Sequence, residues 1–181
     1  MEENKLEKKK INCEIVEPSI DLKESFLSAL EEYKKEGRSL DEGITDPGVN
    51  FASFIQHFKD ESLGVNMKPG RVPQTTFWIT DKDGYAGRIS IRHELNDYLL
   101  KFGGHIGYGV RPSKRGLGYA SKALELALPK ARALGLKKVL ITCDSTNEIS
   151  RKIIEKAGGV LENEVFETEG KPTKLRFWIQ L

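Results

Sequence analysis

The chain has 181 residues, 38% apolar and 31% charged, enough to bury one sizeable core and too few for two full catalytic domains. No apolar run approaches the ~20 residues of a membrane span, and a net charge of +2 is too small to single out nucleic acid as a partner. Cys13 and Cys143 lie far apart and outside any C-x-x-C spacing, which argues against a disulfide framework or a thiolate metal site.

Two free thiols fit a reducing compartment, and "MEENKLEKKK" has no hydrophobic signal segment, so a cytoplasmic protein is expected. Residues 1–10 read as a flexible segment before a single domain over 11–181. "INCEIVEPS" alternates as a strand does. "DLKESFLSALEEYKKEG" then places Leu22, Phe26 and Leu30 at helical spacing before Gly37. The turn-rich "RSLDEGITDPG" leads to "VNFASFIQHFKDES", where Phe51, Phe54, Ile55 and Phe58 repeat as a helix and His57 reads as a structural helix residue. "TTFWIT" and "YAGRISI" are β-rich runs joined by "DKDG", a hairpin signal.

"GGHIGYGV" reads as a third strand whose glycines mark a bulge or the close approach of a ligand. A long helix is expected over "RGLGYASKALELALPKARALG", loosened at Pro129. The buried-type strand "KKVLITCD", a short helix "NEISRKIIEKAGG" and the strands "VLENEVFET" and "TKLRFWIQL" close the chain. The fold class is α/β: a mixed, mostly antiparallel twisted sheet with helices on both faces. Phe51, Phe54, Trp78 and Trp178 are assigned to the core.

The charge is unevenly spread. Between Arg111 and Lys138 there are eight Lys or Arg and one acid, a local +7, so the remainder sums to −5. The segment "RPSKRGLGYAS" crowds Arg111, Lys114 and Arg115 around Gly116, Gly118 and Ala120. A strand, a glycine turn and a helix start would aim unpaired amides at one point, which is how backbone holds a phosphate. It matches neither G-x-x-x-x-G-K-[ST] nor G-x-G-x-x-G, which demotes nucleotide hydrolases and dinucleotide enzymes. Beyond Tyr119 it has no interleaved stacking aromatics, so nucleic acid is not an expected partner.

Arg115, Gly118 and Ala120 do fit [RQ]-x-x-G-x-[GA], and the flanking strand "HIGYGV", the long helix, "VLITCD" and "NEIS" follow in order. In this the chain resembles the GCN5-related N-acetyltransferase superfamily. "VPQTTFWI", "RHELNDYL" and "GGHIGYGVRPSKRGLGYA" look like a bacterial group of its predicted acetyltransferases. The resemblance implies acetyl-CoA as acyl donor, no metal, and direct attack of a small-molecule or peptide amine on the thioester. It implies that Arg115, Gly116, Leu117, Gly118, Tyr119 and Ala120 hold the pyrophosphate, with Ser121 adding a hydroxyl. Val110 would donate its amide to the thioester oxygen beside a bulge at 108–110, and Asn147 would fix the cofactor arm.

A general base must take the amine proton. The candidates are His105, first because it precedes the predicted thioester contact and titrates near neutrality, then His93 and Glu94. Many members of the superfamily carry an acidic tyrosine seven residues after the asparagine; here that position is Ile154, and Tyr108, Ser150 or water must substitute. The missing tyrosine keeps a second reading open, a non-catalytic acyl-CoA binding or sensing domain. The last strand offers an edge through which a homodimer could pair.

Overall fold

A computed structural model describes residues 11–37 and 50–181. The expected flexible start at 1–10 and the turn "RSLDEGITDPG" lie outside the described residues. The first strand, β1 (Glu14–Val16), is followed by helices α1 (Lys23–Lys35) and α2 (Phe51–Leu63). Then come the hairpin strands β2 (Gln74–Asp81) and β3 (Gly84–Arg92), and β4 (Ile106–Val110). The second half runs α3 (Tyr119–Ala133), β5 (Lys138–Asp144), α4 (Glu148–Lys156), β6 (Val160–Val165) and β7 (Lys174–Gln180).

The strands form two sheets, β1-β2-β3-β4 and β5-β7-β6, in which every ladder is antiparallel. Strand alternation sorts side chains to two faces. Phe77, Ile79, Ile89, Ile91 and Ile106 join Val139, Ile141, Phe177 and Ile179 in one core, closed by Tyr119, Ala123, Leu124, Ala127 and Ala131 of α3 and Ile154 of α4. On the other face Trp78 and Tyr85 meet Phe26, Ala29 and Tyr33 of α1 and Phe51, Phe54 and Phe58 of α2. Phe26 stacks on Trp78 with ring centroids 4.8 Å apart, and Tyr85 meets the same indole edge-on.

Local chemistry sets the helix ends. Asn50 caps α2 by accepting from the Ser53 amide at 3.0 Å, and Gly64 ends it in the left-handed region. The third helix starts at Tyr119, later than expected, because Gly116 (φ 72°) and Gly118 (φ 94°) cannot belong to a right-handed helix. It then runs through Pro129 to Ala133. The glycine-rich strand is also shorter than expected: Leu99–Gly103 form a wide helical turn, and pairing begins at Ile106. Trp178 stays out of the buried cores, half-buried with the Lys138 ammonium 4.2 Å from its ring. Among the described residues no helix is long and apolar enough to cross a membrane, and no group of three His, Cys, Asp or Glu is placed to hold a metal ion.

Among the described residues the backbones of the two sheets are bridged at one point. Gly104 bridges to Ile141, and the His105 amide donates to the Leu140 carbonyl at 2.7 Å. The β3–β4 ladder is regular through Val110, so the bulge expected at 108–110 is not there; a register shift falls instead between Ile79 and Thr80 of β2. Divergence of the strands comes from the break between the sheets.

Gly87 keeps the last pairs of that ladder together. A Cβ there would lie 2.4 Å from the Gly109 carbonyl oxygen and 3.0 Å from the Val110 Cα, both backbone atoms that cannot swing aside. Gly87→Ala is expected to cost about 1–3 kcal/mol and to lower the melting temperature by about 2–10 °C, as read by thermal and urea unfolding. An unchanged midpoint would show that β4 is not held this tightly.

Candidate active site

Backbone pairing decides where β4 presents its amides. Arg111 donates to Ala86 at 2.8 Å and Arg92 to His105 at 2.7 Å. In an antiparallel ladder bonded and non-bonded pairs alternate, so Arg88–Gly109 and Ser90–Gly107 are bonded pairs, and Gly87–Val110 and Ile89–Tyr108 are not. The amides of Tyr108 and Val110 therefore point away from β3, into the break between the sheets.

After Val110 the chain makes a short turn at Pro112–Lys114 and enters α3. Gly118 stands at its N-cap, and no side chain caps the helix. The first helical bond is donated by Lys122 to Gly118, which leaves the amides from Gly116 to Ser121 at the open, positive end of the helix. Gly116 has no atom within 4 Å of where a Cβ would be. Leu117 is exposed and Ala120 and Ser121 are at or near the surface of the first turn, whereas Tyr119 is buried with its hydroxyl on Asp81.

The cations of this loop bind the protein itself. Arg111 pairs with Glu32 at 2.7 Å and also reaches Ser28. Glu32 accepts from the Ser113 amide and hydroxyl as well. Lys114 is held at 2.8 Å by both Asp81 and Asp83. Arg115 pairs with Glu36 and donates to the Val110 carbonyl, and its own amide is used by Pro112. Both the side chain and the amide of Arg115, a residue expected at the pyrophosphate, are engaged in holding the loop. The Arg111 guanidinium, with help from Ser113, holds the Glu32 carboxyl down at about 2. Donation of hydrogen bonds to Asp81 and Asp83 raises Lys114, and burial followed by the Asp81 contact pushes Tyr119 up to about 12.

On the opposite side of the break, Asn147 caps α4 by accepting from the Ser150 amide at 3.0 Å. The Tyr108 ring packs against the larger core, and its hydroxyl meets the Ser150 hydroxyl at 2.8 Å, so β4 and α4 are linked by a hydroxyl pair. Burial pushes the Tyr108 phenol up, partly offset by Ser150. Ile154 is wholly buried in the core.

The expected bases are dispersed. His105 is buried, and its Nδ1 accepts from the Leu140 amide at 2.9 Å, so the ring proton resides on Nε2. Burial, then the charge of Arg92, lowers its pKa to about 4. His93 bonds Thr75 through Nε2 at 2.8 Å and is lowered by burial, while Glu94 is exposed. The structure thus brings Tyr108, Val110, residues 116–121, Asn147 and Ser150 around one break and leaves His93 and Glu94 at the far end of β3. Sequence reasoning missed Glu32 and Glu36; their i, i+4 spacing on a helix is the one signal they carry, and it names no partner.

The family model of the acetyltransferase (GNAT) domain matches residues 50–160. No curated protein matches the chain in sequence. The fold recurs in solved structures. The microcin C7 self-immunity acetyltransferase MccE, in complex with acetyl-CoA and AMP, is 17% identical with a TM-score of 0.65, covering 95% of this chain and 94% of its own. RimJ from Mycobacterium smegmatis, in complex with CoA-disulfide, is 18% identical with a TM-score of 0.67, covering 93% and 81%. An acetyl transferase from Salmonella typhimurium that modifies the N-terminal serine of ribosomal protein L7/L12 is 17% identical with a TM-score of 0.64, covering 95% and 96%.

Two pH windows follow from the site's ion chemistry. Glu32 falls from an ordinary 4.5 to about 2, so its contribution is full above pH 4.5 and lost as pH falls towards 2. Glu32→Gln is expected to cost about 1 kcal/mol or less at pH 7, given the solvent that still reaches the pair, and to flatten unfolding free energy against pH across that window. His105 falls from 6.5 to about 4, so its contribution is full above pH 6.5 and lost on acidification to 4; His105→Gln should remove that slope. Urea titrations from pH 2 to 8 measure both, and unchanged slopes would contradict these assignments.

Proposed function

The chain belongs to the GNAT acetyltransferase family, and we propose that it is an acetyl-CoA-dependent N-acetyltransferase that moves the acetyl group to a primary amine by direct attack on the thioester. The observation that carries this reading is the pairing register of β4, which aims the Val110 amide into the break beside an uncapped helix start. The amides of Gly116 to Ser121 suit a pyrophosphate, because backbone donors and the helix end favour an anion there and glycine keeps side chains away. Acetyl-CoA supplies the activated acyl group and a thiol leaving group.

The residues of the chain divide the work. The Val110 amide sits where a thioester oxygen would gain charge, and a fixed donor at that point lowers the barrier. Tyr108, kept protonated by burial, and Ser150 offer a hydroxyl to the departing sulfur in place of the tyrosine that Ile154 replaces. His105 is assigned a positioning role in place of the expected base: its Nδ1 is occupied, and an imidazole lowered to about 4 takes a proton from an ammonium poorly. His93 and Glu94 stand away from the break, so water carries the amine proton out. Two buried free cysteines suit a reducing cytoplasm.

Calorimetric titration with acetyl-CoA tests the donor site, and a panel of amines tests turnover. Wild type should bind acetyl-CoA, and folded Gly116→Trp should bind at least about 100-fold more weakly because the bulk fills the open cradle. Tyr108→Phe should keep donor affinity and lower kcat about 10- to 100-fold. An absent isotherm for folded wild type defeats the proposal; tight binding without turnover of any amine would favour the sensing reading.

A further inference from the structure

The inference concerns the narrow end of the break and rests on the acetyltransferase reading. A helical turn leaves its last carbonyls without partners inside the turn. In the wide turn Leu99–Gly103, and at the Gly104 that caps it, such carbonyls are taken by side chains from both sheets. From the first sheet, the Arg92 guanidinium of β3 donates to the Gly104 carbonyl at 2.8 Å and lies 3.4 Å from that of Gly103. From the second, the Thr142 hydroxyl of β5 donates to the Phe102 carbonyl at 2.8 Å, and Nε of Arg176 on β7 donates to the Leu100 carbonyl at 3.2 Å.

Each donor is itself fixed. Arg92 also gives its backbone amide to the His105 carbonyl at 2.7 Å, so it grips the start of β4 by main chain and side chain together. Thr142 and Arg176 lie opposite each other in the β5–β7 ladder and so share one face. The Arg176 guanidinium is anchored in turn on Glu162 at 2.7 Å and Asn163 at 3.0 Å. At the other end of the turn, the Asn96 side chain accepts from the Leu99 amide at 2.9 Å. The turn therefore staples β3 to β5 and β7 beside the bridge from Gly104 to Ile141. Beyond that bridge β4 and β5 part, and the hydroxyl pair of Tyr108 and Ser150 links β4 to α4 farther along.

We propose that this staple sets the width of the break, and that Arg92, Thr142 and Arg176 are positioning residues for the thioester arm of the donor. An arm that pairs along β4 like an added strand needs a spacing of about 4.8 Å on either side of it, and hence β4 and β5 about 10 Å apart. Val110 lies about 17 Å along the strand from His105 at ~3.4 Å per residue, so a rotation of about 4° at the bridge displaces its amide by about 1 Å. A hydrogen bond of ~2.9 Å lengthened by that much is lost. The phosphate end does not follow such a rotation, because its loop is locked separately through Glu32, Glu36 and Asp81.

Calorimetry separates the two ends of the donor. Acetyl-CoA, and adenosine 3′-phosphate 5′-diphosphate as its head group without the arm, are titrated into wild type, Thr142→Val, Thr142→Ser and Arg92→Met. Wild type is expected to bind acetyl-CoA about 10-fold or more tightly than the head group, the worth of two backbone hydrogen bonds to the arm. Thr142→Val and Arg92→Met should each shrink that ratio about 3- to 10-fold while head-group affinity stays within about 2-fold of wild type, and Thr142→Ser, which keeps the hydroxyl, should retain the ratio. A general loss of stability would weaken both ligands alike. An unchanged ratio in either folded variant, a Thr142→Ser protein as impaired as Thr142→Val, an equal loss for both ligands, or a wild type that binds the head group as tightly as acetyl-CoA would each overturn the inference. Should Arg92→Met fail to fold, the two Thr142 variants decide it. Failure of folded wild type to bind either ligand would instead overturn the transferase reading beneath it.

Discussion

A strand can satisfy its backbone on both sides only if a neighbour runs along each, and β4 has such a neighbour on one side alone. Among the described residues, beyond the bridge from Gly104 to Ile141, its second edge faces a break. Backbone donors and acceptors demand partners, so an edge opened inside a fold is a template for a ligand that can pair like a strand. The remaining features are arranged around keeping that edge open and aimed. Gly104 permits the one close contact, since a Cβ there would sit 2.6 Å from the Leu140 carbonyl oxygen. His105 reinforces it from the side chain through the Leu140 amide.

The same economy of polar groups explains the cationic loop. Charge concentrated between Arg111 and Arg115 looks, as composition, like an anion trap. In the fold each of those cations is paired with an acid, from α1 and its C-cap or from the end of β2 and the turn after it. Their work is mechanical: they lock a turn with two left-handed glycines, which would otherwise be costly in backbone entropy, into one shape. The attraction for an anion is left to the helix end and its amides, whose direction is fixed because the loop is.

Much of this was legible in the chain. Helical spacing of Phe51, Phe54 and Phe58, the hairpin at "DKDG" and the glycines before α3 each have a local cause, and the structure follows them. What was not legible depends on contacts between distant segments. No local signal ties Glu32 to Arg111, 79 residues away, or turns His105 from a titrating base into a buried acceptor for Leu140. The expected bulge at 108–110 failed for a related reason. Glycine in a strand announces that something comes close, but whether that is a bulge, a neighbouring carbonyl or open space is decided by the partner strand, and Gly87, Gly104 and Gly109 show the last two outcomes.

One helix, α1, touches both the loop that leads into α3 and the aromatic core on the opposite face of the sheet. Glu32 and Glu36 hold the loop that leads into α3, while Tyr33, between them in sequence, turns into the aromatic core beside Arg88. A helix so pinned cannot shift in the aromatic core without straining its ion pairs at the loop. Packed cores move between discrete arrangements and do not deform smoothly, so α1 ties the aromatic core and the loop into a single rigid body. The direction of the open helix end at Gly118 is then governed less by any side chain at the break than by how firmly α1 is seated.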